Sequence, residues 1–122
     1  MRTGIDAVET ARIEKSLMIP GFRERVNSPR EIELIEAKGS GSVQSYAANF
    51  AAKEAFSKSI GTGIRGFSLT EVEILRNALG APYIVLSGKA AELAKGLGFT
   101  VSLTHTRRDA TAIVIAFEEN ER

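Results

Sequence analysis

The chain has no cysteine and no tryptophan, a single histidine (His105) and three prolines among 122 residues. Without cysteine there can be no disulfide, no thiol nucleophile and no thiolate metal ligand. Lysine plus arginine (16) nearly balance aspartate plus glutamate (15), so no global charge points to nucleic acid. The basic residues are not interleaved with aromatics, which argues further against a nucleic-acid groove. No apolar run approaches the roughly 20 residues of a membrane helix, and the N-terminus shows no signal-like apolar region. These absences predict one cytoplasmic domain spanning 1–122, with no membrane partner and a small core drawn from 43% hydrophobic residues. No internal repeat is present, and the only low-complexity stretch is Gly39-Ser40-Gly41-Ser42.

Hydrophobic spacing predicts a short first strand near Thr3–Asp6. A helix from about Glu9 to Met18 follows, with Val8, Ile13 and Leu17 inward, ended by Pro20-Gly21. Ser28 as N-cap, Pro29 at the first helical position and Glu31 closing a capping box start a second helix. Ile32 and Ile35 give it an apolar side, and Gly39 stops it. A third and longest helix covers about Val43–Ile60. Val72 and Ile74 alternate with Glu71 and Glu73 as a half-buried strand; Asn77–Pro82 turns and Tyr83–Leu86 returns. Ser87 is placed as the cap of a short helix through about Lys95. Phe99–Thr104 and Thr111–Phe117 form a second hairpin around Arg107-Arg108-Asp109. Helices first and antiparallel strands later define an α+β class.

The most informative stretch is Phe50–Gly63, Phe-Ala-Ala-Lys-Glu-Ala-Phe-Ser-Lys-Ser-Ile-Gly-Thr-Gly, read as a helix that ends in a glycine turn. Glu54 and Lys58, four apart, share one helix face; Lys53 and Ser57 share the next. Spacing alone leaves two readings: a surface ion pair with a C-terminal glycine cap, or a carboxylate and an ammonium that hold a metal ion and a phosphate together. Neither a Walker A loop nor a Rossmann turn competes. Gly88-Lys89-Ala90 lacks the hydroxyl, and Gly39-Ser40-Gly41 opens no βαβ unit.

This stretch resembles the signature of the holo-acyl-carrier-protein synthases, the small 4′-phosphopantetheinyl transferases. Their pattern runs Trp/Phe-Ala-Ala-Lys-Glu-Ala, then Lys, then Gly-Thr-Gly. Two more blocks resemble the same family in the same order. One is Gly4-Ile5-Asp6 with Val8-Glu9; the other is Val101-Ser102-Leu103-Thr104-His105-Thr106 with Ala110 and Ala112-Ile113-Val114. Pro29-Arg30-Glu31 is a smaller match. The resemblance implies a helices-then-sheet α+β fold, assembled as a homotrimer with active sites at subunit interfaces.

It also implies roles. Asp6 and Glu54 would bind one Mg²⁺, although Asp6 also reads as an acid at a helix N-terminus. Lys58, otherwise a solvated helix lysine, would contact the pyrophosphate of coenzyme A and serve as a candidate proton donor to the leaving group; the catalytic set is Asp6, Glu54 and Lys58. Coenzyme A would be bound by Asn49, Ser57, Lys58, Gly61, Pro82, His105 and Thr106. His105, more often structural when alone at a strand end, would come from the neighbouring subunit. The implied activity transfers 4′-phosphopantetheine to a serine of an apo-acyl carrier protein in support of fatty acid biosynthesis, and adenosine 3′,5′-bisphosphate leaves. The proton acceptor stays open between a water at the site and a carboxylate. The alternative is a catalytically inactive trimeric binding module for an acidic carrier protein.

Two departures stand out. Asn49 occupies a position where relatives commonly carry an arginine that meets a coenzyme A phosphate, so Arg107 or Arg108 is the candidate substitute. Met1-Arg2-Thr3 is shorter and more polar than the usual first strand, which predicts fraying or a start that is not the native one. Finally, Arg12–Arg30 holds five basic residues against two acidic ones. This is either a solvated face or a docking surface for an acidic carrier, formed by Arg12, Met18, Phe22, Arg23 and Arg25.

Overall fold

The computed structural model describes residues 1–63 and 65–119. Strand β1 (Arg2–Glu9) leads into helices α1 (Thr10–Leu17), α2 (Phe22–Val26) and α3 (Pro29–Glu36). A 3-10 turn at Gly39–Gly41 then opens the long helix α4 (Ser42–Ile60). After a second 3-10 turn at Leu69–Glu71 come β2 (Val72–Arg76), β3 (Pro82–Leu86), α5 (Gly88–Leu93), β4 (Leu97–His105) and β5 (Asp109–Glu118). The α+β class read from the sequence holds.

The strands form a three-stranded antiparallel sheet in the order β1-β5-β4 and a separate β2-β3 hairpin. Both hairpins were legible, but the pairing of β1 with β5 was not. It also corrects the frayed first strand: β1 is laddered to β5 along all eight residues, from Arg2↔Ala116 to Glu9↔Asp109. Backbone hydrogen bonds hold this strand, so polar side chains at Arg2 and Thr3 do not loosen it.

Helix α4 runs through the middle of the molecule. Thirteen of its 19 residues are buried, so it has no single apolar stripe. Ala47, Ala51, Ala52 and Ala55 are completely buried and let neighbouring backbones approach closely. Gly4 uses that space: a Cβ built there would lie 1.9 Å from the Ala55 carbonyl oxygen and 2.7 Å from the Ser59 nitrogen. Strand β1 therefore packs with its backbone directly on α4. The rest of the core closes around Phe56, whose ring centroid is 5.7 Å from that of Phe67 and 5.0 Å from that of Phe99.

Several local expectations hold and several are corrected. Ser28 and Glu31 form the anticipated capping box at α3, and Gly61 ends α4 in the left-handed region at φ 79°. Helix α2 was not anticipated; it starts after Gly21 (φ 85°) and is fixed by buried Val26 and by Phe22 against Phe50, 6.4 Å between centroids. Ser87 occupies the N-cap of α5 without making the cap bond. Glu71 Oε1 instead accepts from the Ala90 N–H at 3.2 Å. Glu73 on β2 faces protein rather than water: its carboxylate accepts from Ser28 Oγ and from Arg30 Nη2, both at 2.6 Å.

Candidate active site

The Gly4 contact decides where the chemistry sits. Side chains two apart on a strand share a face, so Asp6 projects on the same side of β1 as Gly4, along α4. Glu54 and Lys58 lie one turn apart on that helix. Lys58 Nζ donates to Asp6 Oδ1 at 3.1 Å and to the Ile5 carbonyl oxygen at 3.0 Å. Lys58 thus pairs across to β1, and an ion pair with Glu54 along the helix is not what forms. Burial, and then the negative charge of Asp6, push the Glu54 carboxyl above the usual glutamate value; Lys58 and Arg12 oppose the shift. Two carboxylates are therefore held close enough to repel each other, with Asp6 about one-fifth exposed.

That donor set suits a hard divalent cation. Mg²⁺ is typically bound by one or two carboxylates, with waters and substrate phosphates completing the octahedron. Asp6 and Glu54 are two such oxygen donors, and a cation between them would offset the Asp6 charge that, after burial, raises the Glu54 carboxyl. Among the described residues no three His, Cys, Asp or Glu side chains gather, so an all-protein cage is absent.

The other anticipated residues divide into three sets. Ser57 and Gly61 belong to the end of α4: Ser57 is 1% exposed and its hydroxyl donates to the Glu54 carbonyl, while the Gly61 N–H donates to that of Lys58. His105 and Thr106 line an opening of about 480 Å³ together with Lys38, Ser40, Gln44, Ser45 and Arg107. None of Asp6, Glu54 and Lys58 lines it, so within one chain the opening does not include them. Thr106 also caps the β4–β5 turn, its hydroxyl accepting from the Arg108 and Asp109 N–H groups at 3.1 Å. Pro82 opens β3 opposite Arg76.

Asn49 requires a correction. Its side chain is fully buried, donating to Glu31 Oε2 at 3.1 Å and to the Ile74 carbonyl at 3.2 Å, and accepting from Arg76 Nη2 at 3.1 Å. It is a structural bridge with no free donor left for a ligand. On the basic α1–α2 segment, Met18 and Ile19 are 80% and 53% exposed, and Phe22 is half-buried. Arg23 is already shared between Glu24 at 2.8 Å and Glu36 at 3.3 Å, which leaves it less available than Arg12.

Sequence reasoning missed what Lys53 does. This lysine is completely buried, and its ammonium donates to Glu31 Oε1 at 2.7 Å, the Val26 carbonyl at 2.7 Å and the Leu69 carbonyl at 3.0 Å. Glu31, equally buried, also accepts from the N–H groups of Ser28 and Ile74 and from Asn49. One ion pair thus ties α4 to α2, α3, β2 and the Leu69 turn. The single sequence signal was a lysine in the alanine-rich run Ala51-Ala52-Lys53-Glu54-Ala55, on a helix too apolar to be exposed.

The small α+β fold gathers two carboxylates and a lysine where a strand backbone meets a central helix. Residues 2–113 match the model of the 4′-phosphopantetheinyl transferase superfamily, and the chain belongs to that family. It is 41% identical over 116 residues to the holo-[acyl-carrier-protein] synthase of Fusobacterium nucleatum, covering 92% of this chain and 94% of that one. To the enzyme of the same name from Ruminiclostridium cellulolyticum it is 46% identical over 121 residues, covering 94% and 90%. Among solved structures it resembles the Helicobacter pylori holo-[acyl-carrier-protein] synthase in complex with coenzyme A, with a TM-score of 0.83 and 35% identity over 94% of this chain and 99% of that one.

Proposed function

We propose that this chain is a Mg²⁺-dependent holo-[acyl-carrier-protein] synthase that transfers 4′-phosphopantetheine from coenzyme A to a serine of an apo-acyl carrier protein. The observation that carries the proposal is the Asp6–Lys58–Glu54 cluster, built by the Gly4 contact in a chain whose relatives bear that name. Asp6 and Glu54 would hold the cation, which when bound polarises the pyrophosphate and offsets charge on its oxygens. The serine hydroxyl oxygen forms a bond to the β-phosphorus while the bond from that phosphorus to the bridging oxygen breaks. Adenosine 3′,5′-bisphosphate departs and the serine proton passes to a base. Lys58, about half exposed, is placed to meet the pyrophosphate and stabilise the leaving oxygen or protonate it.

The nucleotide end of coenzyme A is assigned to the opening at His105 and Thr106. Lys38 and Arg107 bring positive charge there. Because the carboxylates do not line that opening in one chain, a neighbouring copy is proposed to complete each site in a homotrimer. The outer face of the β1-β5-β4 sheet supports this assembly: Thr3, Ile5, Ala7, Ile113, Ile115 and Phe117 lie on it, the charged Glu9 and Asp109 are confined to one end of the β1–β5 ladder, and Ile5 is 57% exposed. The acidic carrier is assigned to Arg12, Arg25 and Arg23 around the apolar pair Met18–Phe22, to which the structure adds Ile19. Cytoplasmic placement belongs to the same proposal; no helix among the described residues is long and apolar enough to cross a membrane.

The test is direct. Incubation with coenzyme A, Mg²⁺ and an apo-carrier is expected to add the mass of one phosphopantetheine to the carrier. A carrier of unchanged mass, with a known synthase active on it in parallel, would leave the inactive binding module as the answer.

A further inference from the structure

Arg76 closes β2 and stands opposite Pro82 in the β2–β3 hairpin. Its Nη2 donates to Asn49 Oδ1 at 3.1 Å and its Nη1 to its neighbour's carbonyl, Leu75 O, at 3.4 Å. The side chain is half-buried, and among the described residues no carboxylate lies within ion-pair distance of it. Burial pulls its pKa below the usual arginine value, and the one opposing charge, Glu31, is separated from it by Asn49. Glu31 is itself matched by Lys53 at 2.7 Å. Along the connected series Arg76–Asn49–Glu31–Lys53, two cations therefore share one carboxylate, and the surplus charge is at the end nearest solvent.

A guanidinium carries five N–H donors in a rigid fork, and only two groups of protein use them here. A partly desolvated cation with unused donors is unfavourable until an anion meets it, and the fork fits phosphate oxygens in pairs. Asn49 has no free donor of its own and holds the guanidinium in one orientation, which lowers the entropy lost on binding. Ser45, in the lining of the opening at His105, lies one turn before Asn49 on α4, and we propose that Arg76, steadied by Asn49, is a phosphate-binding residue for coenzyme A beside that opening. The assignment rests on the coenzyme A reading above.

Calorimetric titration of coenzyme A into wild type and Arg76→Met tests it. Loss of one charge-assisted fork is expected to weaken Kd about tenfold. Arg76→Lys, which keeps the charge without the fork, should lie between the two. The wild-type advantage should shrink with added salt, and KM for the carrier should not move. Dephospho-coenzyme A identifies the group touched: the gap closes if Arg76 meets the 3′-phosphate and persists if it meets the pyrophosphate. An unchanged Kd in folded Arg76→Met overturns the assignment. So does dissociation of the assembly by light scattering, which would make Arg76 the counter-ion of a second copy. If Arg76→Met does not fold, Arg76→Lys and Arg76→Gln decide by the same titration. A wild type that transfers phosphopantetheine while the variants bind normally removes Arg76 alone; a wild type that binds no coenzyme A removes the functional reading with it.

Discussion

Lys53 and Glu31 provide a sharp energetic test, because the two halves of the pair are not equally supported. Glu31 accepts four hydrogen bonds, from Lys53, Asn49 and the N–H groups of Ser28 and Ile74; Lys53 donates three, two of them to main-chain carbonyls. Lys53→Met leaves a buried carboxylate that still has three donors. Glu31→Leu leaves a buried ammonium facing two carbonyls and strands three N–H donors without an acceptor. Removing one member of a buried pair costs about 3–5 kcal/mol, so Lys53→Met should fall near the lower figure and Glu31→Leu near or beyond the upper. With a urea slope of about 2 kcal/mol per molar, the unfolding midpoint should drop by about 1.5 M for the lysine variant and by at least about 2.5 M for the glutamate variant. Burial pulls the Lys53 pKa below the usual lysine value despite the attraction of Glu31, so desolvation is not fully offset. The double variant Lys53→Met/Glu31→Leu should accordingly cost less than the sum of the singles. Chemical denaturation of the three proteins at neutral pH is the assay. Equal single costs, or strict additivity, would refute the reasoning that the carboxylate is the better satisfied partner.

Five further outcomes follow from the same contacts. Because burial and Asp6 raise the Glu54 pKa, the metal-free fold should lose stability as pH rises from the unfolded glutamate value through the folded one; Glu54→Gln should therefore raise the metal-free melting temperature at neutral pH while transfer is lost. EDTA should abolish wild-type transfer, and Mg²⁺ should raise the melting temperature of wild type but not of Glu54→Gln or Asp6→Ala, read by scanning calorimetry. Gly4→Ala drives a methyl into the Ala55 carbonyl, and because backbone faces it the cost should reach about 3 kcal/mol or prevent folding, whereas Ile5→Ala on the opposite face should fold. Arg12→Glu should raise KM for the carrier with little change for coenzyme A, as should added salt, and Glu54→Ala mixed with His105→Ala should recover activity through hybrid sites, checked by steady-state kinetics after proven subunit exchange.

What was legible in the sequence was legible because its cause is local. The α3 capping box needs only Ser28, Pro29 and Glu31, and the end of α4 needs only a glycine free to take φ 79°. Both hairpins announce themselves by alternation and turn residues. The pairing of β1 with β5 joins the two ends of the chain, and nothing in either strand names its partner. Helix α2 is five residues long, too short for periodicity to register, and its anchors Phe50 and Val26 depend on contacts made elsewhere. Asn49 and Ser57 were expected beside a ligand because the resemblance places the matching residues there. A helix buried on nearly every side turns most of its residues toward protein instead.

The adjacent pair Lys53-Glu54 shows how far the site exceeds its motif. Successive helical residues are rotated by roughly 100°, so two neighbouring charges cannot serve one purpose. Glu54 turns toward β1 and shares its field with Asp6; Lys53 turns the other way, into a pocket of carbonyls closed by Glu31. The first interaction is unfavourable unless positive charge offsets it, and it needs a helix that does not rotate or slide to relieve it. The second supplies that resistance, as does Gly4, whose backbone leaves no gap into which α4 could shift. The alanines of Ala51-Ala52-Lys53-Glu54-Ala55 complete the arrangement, since larger side chains would lift the strand and carry Asp6 out of reach of Lys58. Read alone, the segment shows which side chains are present. Only the packing explains how a repelling pair of carboxylates is held in place, with Lys58 and Arg12 offsetting part of its charge.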